Sequence, residues 1–289
     1  MKLQWYPGHM TKARREMQAD LRLVDLVIEL LDARVPISSR NPDIDQLAAN
    51  KFRMILLNKA DLADPDTNTA WVRYFEDLGI RTIPLDSRER TKMRTIEETI
   101  REVSREKLER DKRRGILPRP IRAMVAGIPN VGKSTFINSF AKKASLKTGN
   151  KPGVTKSNQW IRLNPSAELL DTPGILWPKF EDEKVGEHLA FIGSINDDII
   201  DPEELCRTFL MDIGKRAEAS LYERYRTEYD DDPDVLIEKI ALSRNYLKKG
   251  GVPDTEKAAA AVIDDFRSGR LGRISLEFPE EYGYRSSKE

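Results

Sequence analysis

Short apolar runs alternate with amphipathic stretches over the first 180 residues of the chain. The apolar runs predict β-strands at 24–31, 53–57, 81–85, 120–126, 159–163 and 168–171, and the last two are close enough to form a hairpin. The amphipathic stretches predict helices at 11–23, 66–78, 91–110 and 133–141. Strands that alternate with helices indicate an α/β fold built on a mostly parallel sheet.

Beyond residue 180 the pattern becomes helical. Leu236, Ile240 and Leu247 are spaced to share one helical face, and residues 258–266 predict a further helix that ends near Gly269. We therefore predict two domains. Residues 1–180 form an α/β domain with a basic helix near its N-terminus, and residues 181–289 form a small all-α domain.

Composition narrows the class of protein. Charged residues make up 34% and hydrophobic residues 39% of the 289 positions, which suits a globular protein with a substantial core. The net charge of +1 does not by itself indicate a nucleic-acid-binding protein. Cys206 has no second cysteine to pair with, no apolar stretch reaches 18 residues, and the N-terminus lacks the apolar core of a signal peptide. We therefore expect a soluble, cytoplasmic protein with no membrane contact.

Residues 127–134 read GIPNVGKS and match the phosphate-binding loop G-x-x-x-x-G-K-[ST]. Glycines allow the backbone of such a loop to curl around phosphate and present N–H groups to it. The loop follows a predicted strand and opens a predicted helix, whose N-terminus favours an anion. We expect Lys133 to reach the β- and γ-phosphates and the Ser134 hydroxyl to bind Mg²⁺. Further nucleotide contacts are expected from Asn130, Val131, Gly132 and Thr135.

The tetrapeptide Asn58-Lys59-Ala60-Asp61 indicates guanine recognition. The Asp61 carboxylate can accept from the N1–H and the exocyclic N2 amine of guanine together, a donor pair that adenine lacks. The stem of Lys59 can cover the ring, and Asn58 can bond the base or brace the loops. The segment 85–88 lies where a second base-contacting loop belongs, and we expect a backbone N–H near Ser87 to reach the base.

Two later segments suit a γ-phosphate sensor. Asp171 can hold Mg²⁺ through a water, and the N–H of Gly174 can contact the γ-phosphate. Taken alone, residues 171–174 also read as an ordinary Asp-Pro-Gly turn. Thr155, between the phosphate loop and the hairpin, is the candidate threonine that closes on Mg²⁺ when γ-phosphate is present.

The guanine motif precedes the phosphate loop, which is the reverse of the usual order. With Trp5-Tyr6-Pro7-Gly8-His9-Met10, Asp32-Ala33-Arg34 and the segment 149–155, these motifs resemble the circularly permuted GTPases of the ribosome biogenesis GTPase A family. The resemblance implies a permuted Ras-like P-loop GTPase domain followed by a helical RNA-binding domain. It also implies GTP and GDP as ligands, and the precursor of the large ribosomal subunit with its rRNA as partner. We take the chain to be a monomer.

The position after Gly174 carries a glutamine in many GTPases, where it orients the attacking water. Ile175 cannot do this, so we expect slow hydrolysis that ribosomal particles stimulate. His9 is the candidate replacement for that glutamine and would share the catalytic role with Lys133 and Gly174. The alternative for His9 is a structural role. Asn130 is a candidate for seating K⁺ beside the phosphates, with loop packing as the alternative.

Basic residues cluster before the phosphate loop and again in the helical region. They can contact rRNA phosphates, or they can pair with interleaved acidic residues on a solvated helix. The helical-region set is Arg244, Lys248, Lys249, Arg267, Arg270 and Arg273. Two other functions stay open: an RNA-binding scaffold with negligible turnover, and a regulatory GTPase with a non-ribosomal protein target.

Overall fold

The computed structural model describes residues 15, 17–117, 119–140, 159–164, 167–171 and 182–284. Within this part, one sheet contains the strands β1 (Leu26–Asp32), β2 (Phe52–Asn58), β3 (Arg81–Leu85), β4 (Ile121–Ala126), β5 (Gln159–Asn164) and β6 (Ala167–Asp171). Their order is β3-β2-β1-β4-β6-β5, and only β5 runs antiparallel to its neighbour. The predicted strands are confirmed, with ends displaced by no more than two residues.

The strand order explains the unusual order of the motifs. The strand β1 lies between β2 and β4, so the first and second halves of the sheet meet at its centre. A chain that entered the sheet at β4 would meet the phosphate loop first and reach β2 later, as in an ordinary Ras-like GTPase. The predicted circular permutation is therefore confirmed, and the sheet itself is undisturbed.

Helices cover the sheet and bury its strands. They are α1 (Ile44–Leu47), α2 (Pro65–Asp77), α3 (Met93–Val103), α4 (Arg105–Arg113) and α5 (Lys133–Phe140). All seven residues of β1 are buried, which is why that strand reads as a nearly continuous apolar run. The single helix predicted over 91–110 is wrong in one respect: it is interrupted at Ser104. The side chain of Ser104 is fully buried, and its backbone leaves helical geometry at ψ 4°.

The later part of the described chain is helical, as predicted. It contains α6 (Glu183–Phe191), α7 (Pro202–Ile213), α8 (Glu218–Tyr225), α9 (Pro233–Ser243) and α10 (Thr255–Arg267). Leu247 does not share a helical face with Leu236 and Ile240, because α9 ends at Ser243. Asn245 takes a left-handed φ of 55°, and Leu247 then pairs with Pro253 in an isolated bridge.

The C-terminal segment 274–277 returns to the α/β part of the molecule. The backbone N–H of Ile274 donates to the carbonyl of Leu62 at 3.1 Å, and that of Leu276 donates to the carbonyl of Arg34 at 2.9 Å. The largest apolar cluster also runs from the strands into the later helices. The loops that follow β1 and β2 are thus held from outside the sheet. The division at residue 180 stays a prediction.

Candidate nucleotide site

The phosphate loop connects β4 to α5 at the carboxyl edge of the sheet. Gly132 takes a φ of 100°, and a side chain there would collide with the amide of Asn58. A Cβ on Gly127 would lie 2.6 Å from the carbonyl oxygen of Leu30. Glycine is therefore required at both positions for the loop to curl against the neighbouring strands.

The ammonium group of Lys133 lies inside this loop. Its Nζ donates to the carbonyls of Gly127 and Ile128, both at 2.9 Å. Burial lowers the pKa of Lys133 to about 8, and the charge of Asp171 opposes that shift. An anion placed at the loop would favour the charged form of this amine, as phosphate binding requires.

Asn58 joins the guanine motif to the phosphate loop. Its Nδ2 donates to the carbonyl of Val131 at 2.6 Å, and its Oδ1 accepts the backbone N–H of Ser87 at 2.9 Å. Of the two roles considered for Asn58, the structure shows the bracing one. The N–H of Ser87 itself donates to Asn58, so Ser87 helps to hold three loops together, and the contact expected from a backbone N–H near Ser87 to the base stays a prediction.

Lys59 belongs to a buried charge cluster. It takes a left-handed φ of 57°, and its Nζ lies 3.0 Å from Oδ2 of Asp32. Arg34 holds the same carboxylate through Nε at 2.9 Å and Nη2 at 2.8 Å, and its guanidinium also stacks on the ring of Phe266. Burial alone would raise the pKa of Asp32, but the charges of Arg34 and Lys59 outweigh burial and keep that pKa far below its usual range. Sequence reasoning named Arg34 only within the family resemblance and did not predict that it pairs with Asp32.

Asp61 lies at the mouth of the site with 29% of its side chain exposed. Its Oδ2 accepts from Nη2 of Arg88 at 2.5 Å. Arg88 follows Ser87 in the loop after β3, and sequence reasoning did not select it. An arginine three residues after the end of β3, whose neighbour β2 leads into the guanine loop, was the available signal.

Oxygen ligands suited to Mg²⁺ lie beside the phosphate loop. Asp171 ends β6, is fully buried, and pairs in register with Val125 of the phosphate-loop strand. Ser134 lies in the first turn of α5, next to Lys133, and Thr135 follows it. A carboxylate and a hydroxyl are ligands that Mg²⁺ prefers, so this part of the site fits the ion. His9, Thr155 and Gly174 lie outside the described residues.

The phosphate loop also contacts the helical region directly. Nδ2 of Asn130 donates to the carbonyl of Gly193 at 2.6 Å, and the hydroxyl of Ser194 donates to the carbonyl of Pro129 at 2.8 Å. Asn130 has a left-handed φ of 60°, which asparagine tolerates better than most residues. The turn after α6 is therefore attached to the loop that would surround the phosphates. Sequence reasoning missed Gly193 and Ser194.

The fold and the arrangement of these loops define a circularly permuted P-loop GTPase. Residues 122–223 match a family model described as 50S ribosome-binding GTPase. Ribosome biogenesis GTPase A of Bacillus pumilus is 45% identical over 281 residues, covering 97% of this chain and 100% of that protein. The protein of the same name from Thermotoga maritima is 35% identical over 283 residues, covering 96% of this chain and 95% of that protein.

A solved structure agrees with the sequence relatives. GNP-bound YlqF from T. maritima superposes with a TM-score of 0.64 at 31% identity, covering 93% of this chain and 99% of that one. The chain belongs to the ribosome biogenesis GTPase A family and is a GTP-hydrolysing enzyme. None of the helices in the described part of the chain has the length and apolar character needed to cross a membrane.

Proposed function

We propose that this GTPase of ribosome assembly binds the maturing large ribosomal subunit in its GTP form and leaves after hydrolysis. The contact between Asn58 and Val131 carries the proposal, because it joins the guanine loop to the phosphate loop across 73 positions of sequence. The family model is described as 50S ribosome-binding, and the relatives are named for ribosome biogenesis. These names support the large subunit as the target.

In the proposed site, nucleotide is held at both ends. Lys133 and the N–H groups of the phosphate loop bind the phosphates, while Asp61 accepts from the guanine edge and the stem of Lys59 covers the ring. Asn58 and Ser87 act through the loops they brace. Asn58 connects the loop that binds the base to the loop that binds the phosphates. Binding at either end of the nucleotide therefore influences both loops.

Magnesium and the γ-phosphate complete the switch in this proposal. Ser134, Thr155 and Asp171 would hold Mg²⁺, and Gly174 would sense the γ-phosphate. When bound, Mg²⁺ neutralises charge that develops on the phosphates. His9 remains the candidate for orienting water, and hydrolysis is expected to be slow until ribosomal particles are present.

Fewer basic residues of the helical region are available for the proposed rRNA contacts than the sequence suggests. Three of the basic residues in the helical region are engaged within the protein: Arg267 with Asp197, Arg270 with Asp265, and Arg244 through the carbonyl of Arg224. Lys249 and Arg273 are exposed in the described structure. Together with the exposed arginines of α4, they are the better candidates for phosphate contacts.

Potassium dependence is a separate proposal about Asn130. Its amide nitrogen is committed to Gly193, which fixes the orientation of the whole side chain beside the phosphate loop. We infer that its oxygen helps to seat K⁺ next to the phosphates. Turnover that is several-fold faster in K⁺ than in Na⁺, with the difference lost in Asn130→Gly, is the expected result. Equal turnover in both salts would leave Asn130 with a packing role only.

Sedimentation of cell extract tests the main proposal. The wild type is expected to travel with large-subunit precursors in the presence of a non-hydrolysable GTP analogue and to leave them with GDP. Asp66→Asn, an exposed substitution outside the site, is expected to sediment like the wild type and serves as the control. Purified particles should also stimulate turnover. Binding without stimulated turnover would favour the RNA-binding scaffold, and the absence of ribosomal association would favour a non-ribosomal target.

A further inference from the structure

The loop after β3 brings two carboxylates to one arginine. The backbone N–H of Arg88 donates to Oδ1 of Asp86 at 2.9 Å, and its Nε lies 2.9 Å and 3.1 Å from the two oxygens of the same carboxylate. Nη2 of Arg88 lies 2.8 Å from Oδ2 of Asp86 and 2.5 Å from Oδ2 of Asp61. One nitrogen of Arg88 therefore bridges the two acidic side chains.

The anchoring of this arginine is asymmetric. Asp86, only 15% exposed, holds the guanidinium and the backbone of Arg88 together, whereas Asp61 receives a single bond from Nη2. The hydrogen bonds that Arg88 donates to Asp86 and the charge of Asp61 raise the pKa of Arg88 above its already high value. Most of the hydrogen bonds that orient the guanidinium are therefore made with Asp86, and the oriented guanidinium then donates one bond to Asp61.

A carboxylate oxygen has two lone pairs and can accept from Arg88 and from a base at once. Guanine recognition needs both oxygens of Asp61 aimed at the N1–H and the N2 amine. An aspartate at the mouth of a site is free to rotate about its side-chain bonds, and its charge repels that of Asp86. The guanidinium of Arg88 removes both difficulties, because its hydrogen bond orients the Asp61 carboxylate and its positive charge balances the two negative ones.

We propose that Arg88 is a positioning residue for guanine recognition, holding the Asp61 carboxylate in the orientation that grips both donors of the base. The inference rests on the proposed function, since it takes Asp61 to be the guanine reader. It adds a residue that the motif itself does not contain. Selectivity for guanine in this chain then depends on Asp86 and Arg88 as well as on the tetrapeptide 58–61.

Affinities for GDP and inosine diphosphate test the proposal. Inosine diphosphate lacks the N2 amine, so the ratio of the two affinities reports the second bond to Asp61. Arg88→Ala is expected to weaken GDP binding roughly ten-fold and inosine diphosphate binding much less. The preference for GDP over inosine diphosphate should therefore decrease. Arg88→Lys keeps the charge without the planar two-carboxylate bridge and should recover only part of the loss. Arg94→Ala removes an exposed arginine on α3, paired with Glu98, and serves as the control.

The outcomes are distinguishable. An unchanged ratio in Arg88→Ala, in protein whose thermal unfolding matches the wild type, would overturn the inference. Tighter GDP binding in Arg88→Ala would show instead that Arg88 competes with guanine for Asp61, and would overturn it as well. If wild-type protein does not prefer GDP over ADP, the proposed guanine site itself fails, whatever Arg88 does.

Discussion

The side-chain amide of Asn130 donates to the carbonyl of Gly193 at 2.6 Å and so fastens the phosphate loop to the turn that ends α6. The hydroxyl of Ser194 adds a second bond, to the carbonyl of Pro129. Both partners on the loop are within four residues of Lys133. Movement of the loop on nucleotide binding would therefore act directly on the start of the helical region, without passing through the sheet.

Ser194→Ala tests whether this attachment transmits nucleotide state. The change removes one bond to the loop and no group expected to touch nucleotide. We expect a loss of about 1 kcal/mol in the free energy of unfolding. GDP affinity should stay nearly unchanged, while the difference in particle binding between GDP and a GTP analogue decreases.

Ser243→Ala is the matched control for that variant. It also removes a hydroxyl that donates to a backbone carbonyl, that of Ile240, but at the end of α9. Co-sedimentation and urea unfolding of both variants make the comparison. If the two variants retain the same nucleotide-dependent binding as the wild type, the attachment is structural only.

Asp61→Asn should change the base that the enzyme selects. The amide nitrogen cannot accept from guanine, so GDP binding is expected to weaken by at least about 100-fold, the loss of two hydrogen bonds to a charged group. The same nitrogen can donate to the carbonyl that xanthine carries in place of the N2 amine. Xanthosine diphosphate should therefore bind more tightly to the variant than to the wild type. Titration with fluorescent nucleotides measures both effects, and equal GDP binding by both proteins would exclude Asp61 as the guanine reader.

The sequence predicted the sheet and most of the nucleotide motifs because these depend on local signals. Apolar runs mark the strands, and Gly127 and Gly132 are required by backbone geometry that few other residues allow. The order of the motifs was enough to predict the permutation. Each of these features spans only a few consecutive residues, and the residue types alone indicate its role.

Contacts between distant segments could not be predicted in the same way. Gly193 and Ser194 belong to no motif, and Arg88 lies in the expected base-contacting segment 85–88 without having been selected; the roles of all three arise only when folding brings them to the loops. The break at Ser104 and the end of α9 before Leu247 have the same origin, since periodicity alone does not show where tertiary packing ends a helix. The bond from the N–H of Ser87 to Asn58 is another such contact between distant segments, while the base contact expected near Ser87 stays a prediction.

Removing the charge of Asp32 should strongly destabilise the fold. Asp32 is fully buried between Arg34, which is 1% exposed, and Lys59. Asp32→Asn leaves the buried Arg34 and the partly exposed Lys59 without their counter-charge, at a cost of about 3–5 kcal/mol in the free energy of unfolding. Adding Arg34→Met to that variant should recover part of the loss. Glu98→Gln, which breaks the exposed pair with Arg94, should cost less than about 1 kcal/mol and serves as the control in urea unfolding.

The last prediction concerns pH and the buried histidine at which four segments meet, including α7 through Asp212. Nδ1 of His188 lies 3.0 Å from Oε1 of Glu277, and Nε2 lies 3.2 Å from Oδ2 of Asp212. Glu277 also accepts the backbone N–H groups of Ile37 and Ser38, so the loop after β1, the helices α6 and α7 and the C-terminal segment meet at this histidine. Burial opposes the charged form, but the hydrogen bonds and charges of Asp212 and Glu277 outweigh it and raise the pKa of His188 to about 9.

A pKa raised above the unfolded value of 6.5 means that the folded state favours the protonated histidine. Its stabilisation is fully present below pH 6.5 and is lost as the pH rises through about 9, by an amount on the order of 3 kcal/mol. His188→Gln should be less stable than the wild type at pH 6, and the difference should shrink towards pH 9.5. Urea unfolding across this range makes the comparison, with Ser243→Ala as a control that keeps the wild-type pH dependence. Parallel curves for the wild type and His188→Gln would mean that folding does not raise the pKa of His188.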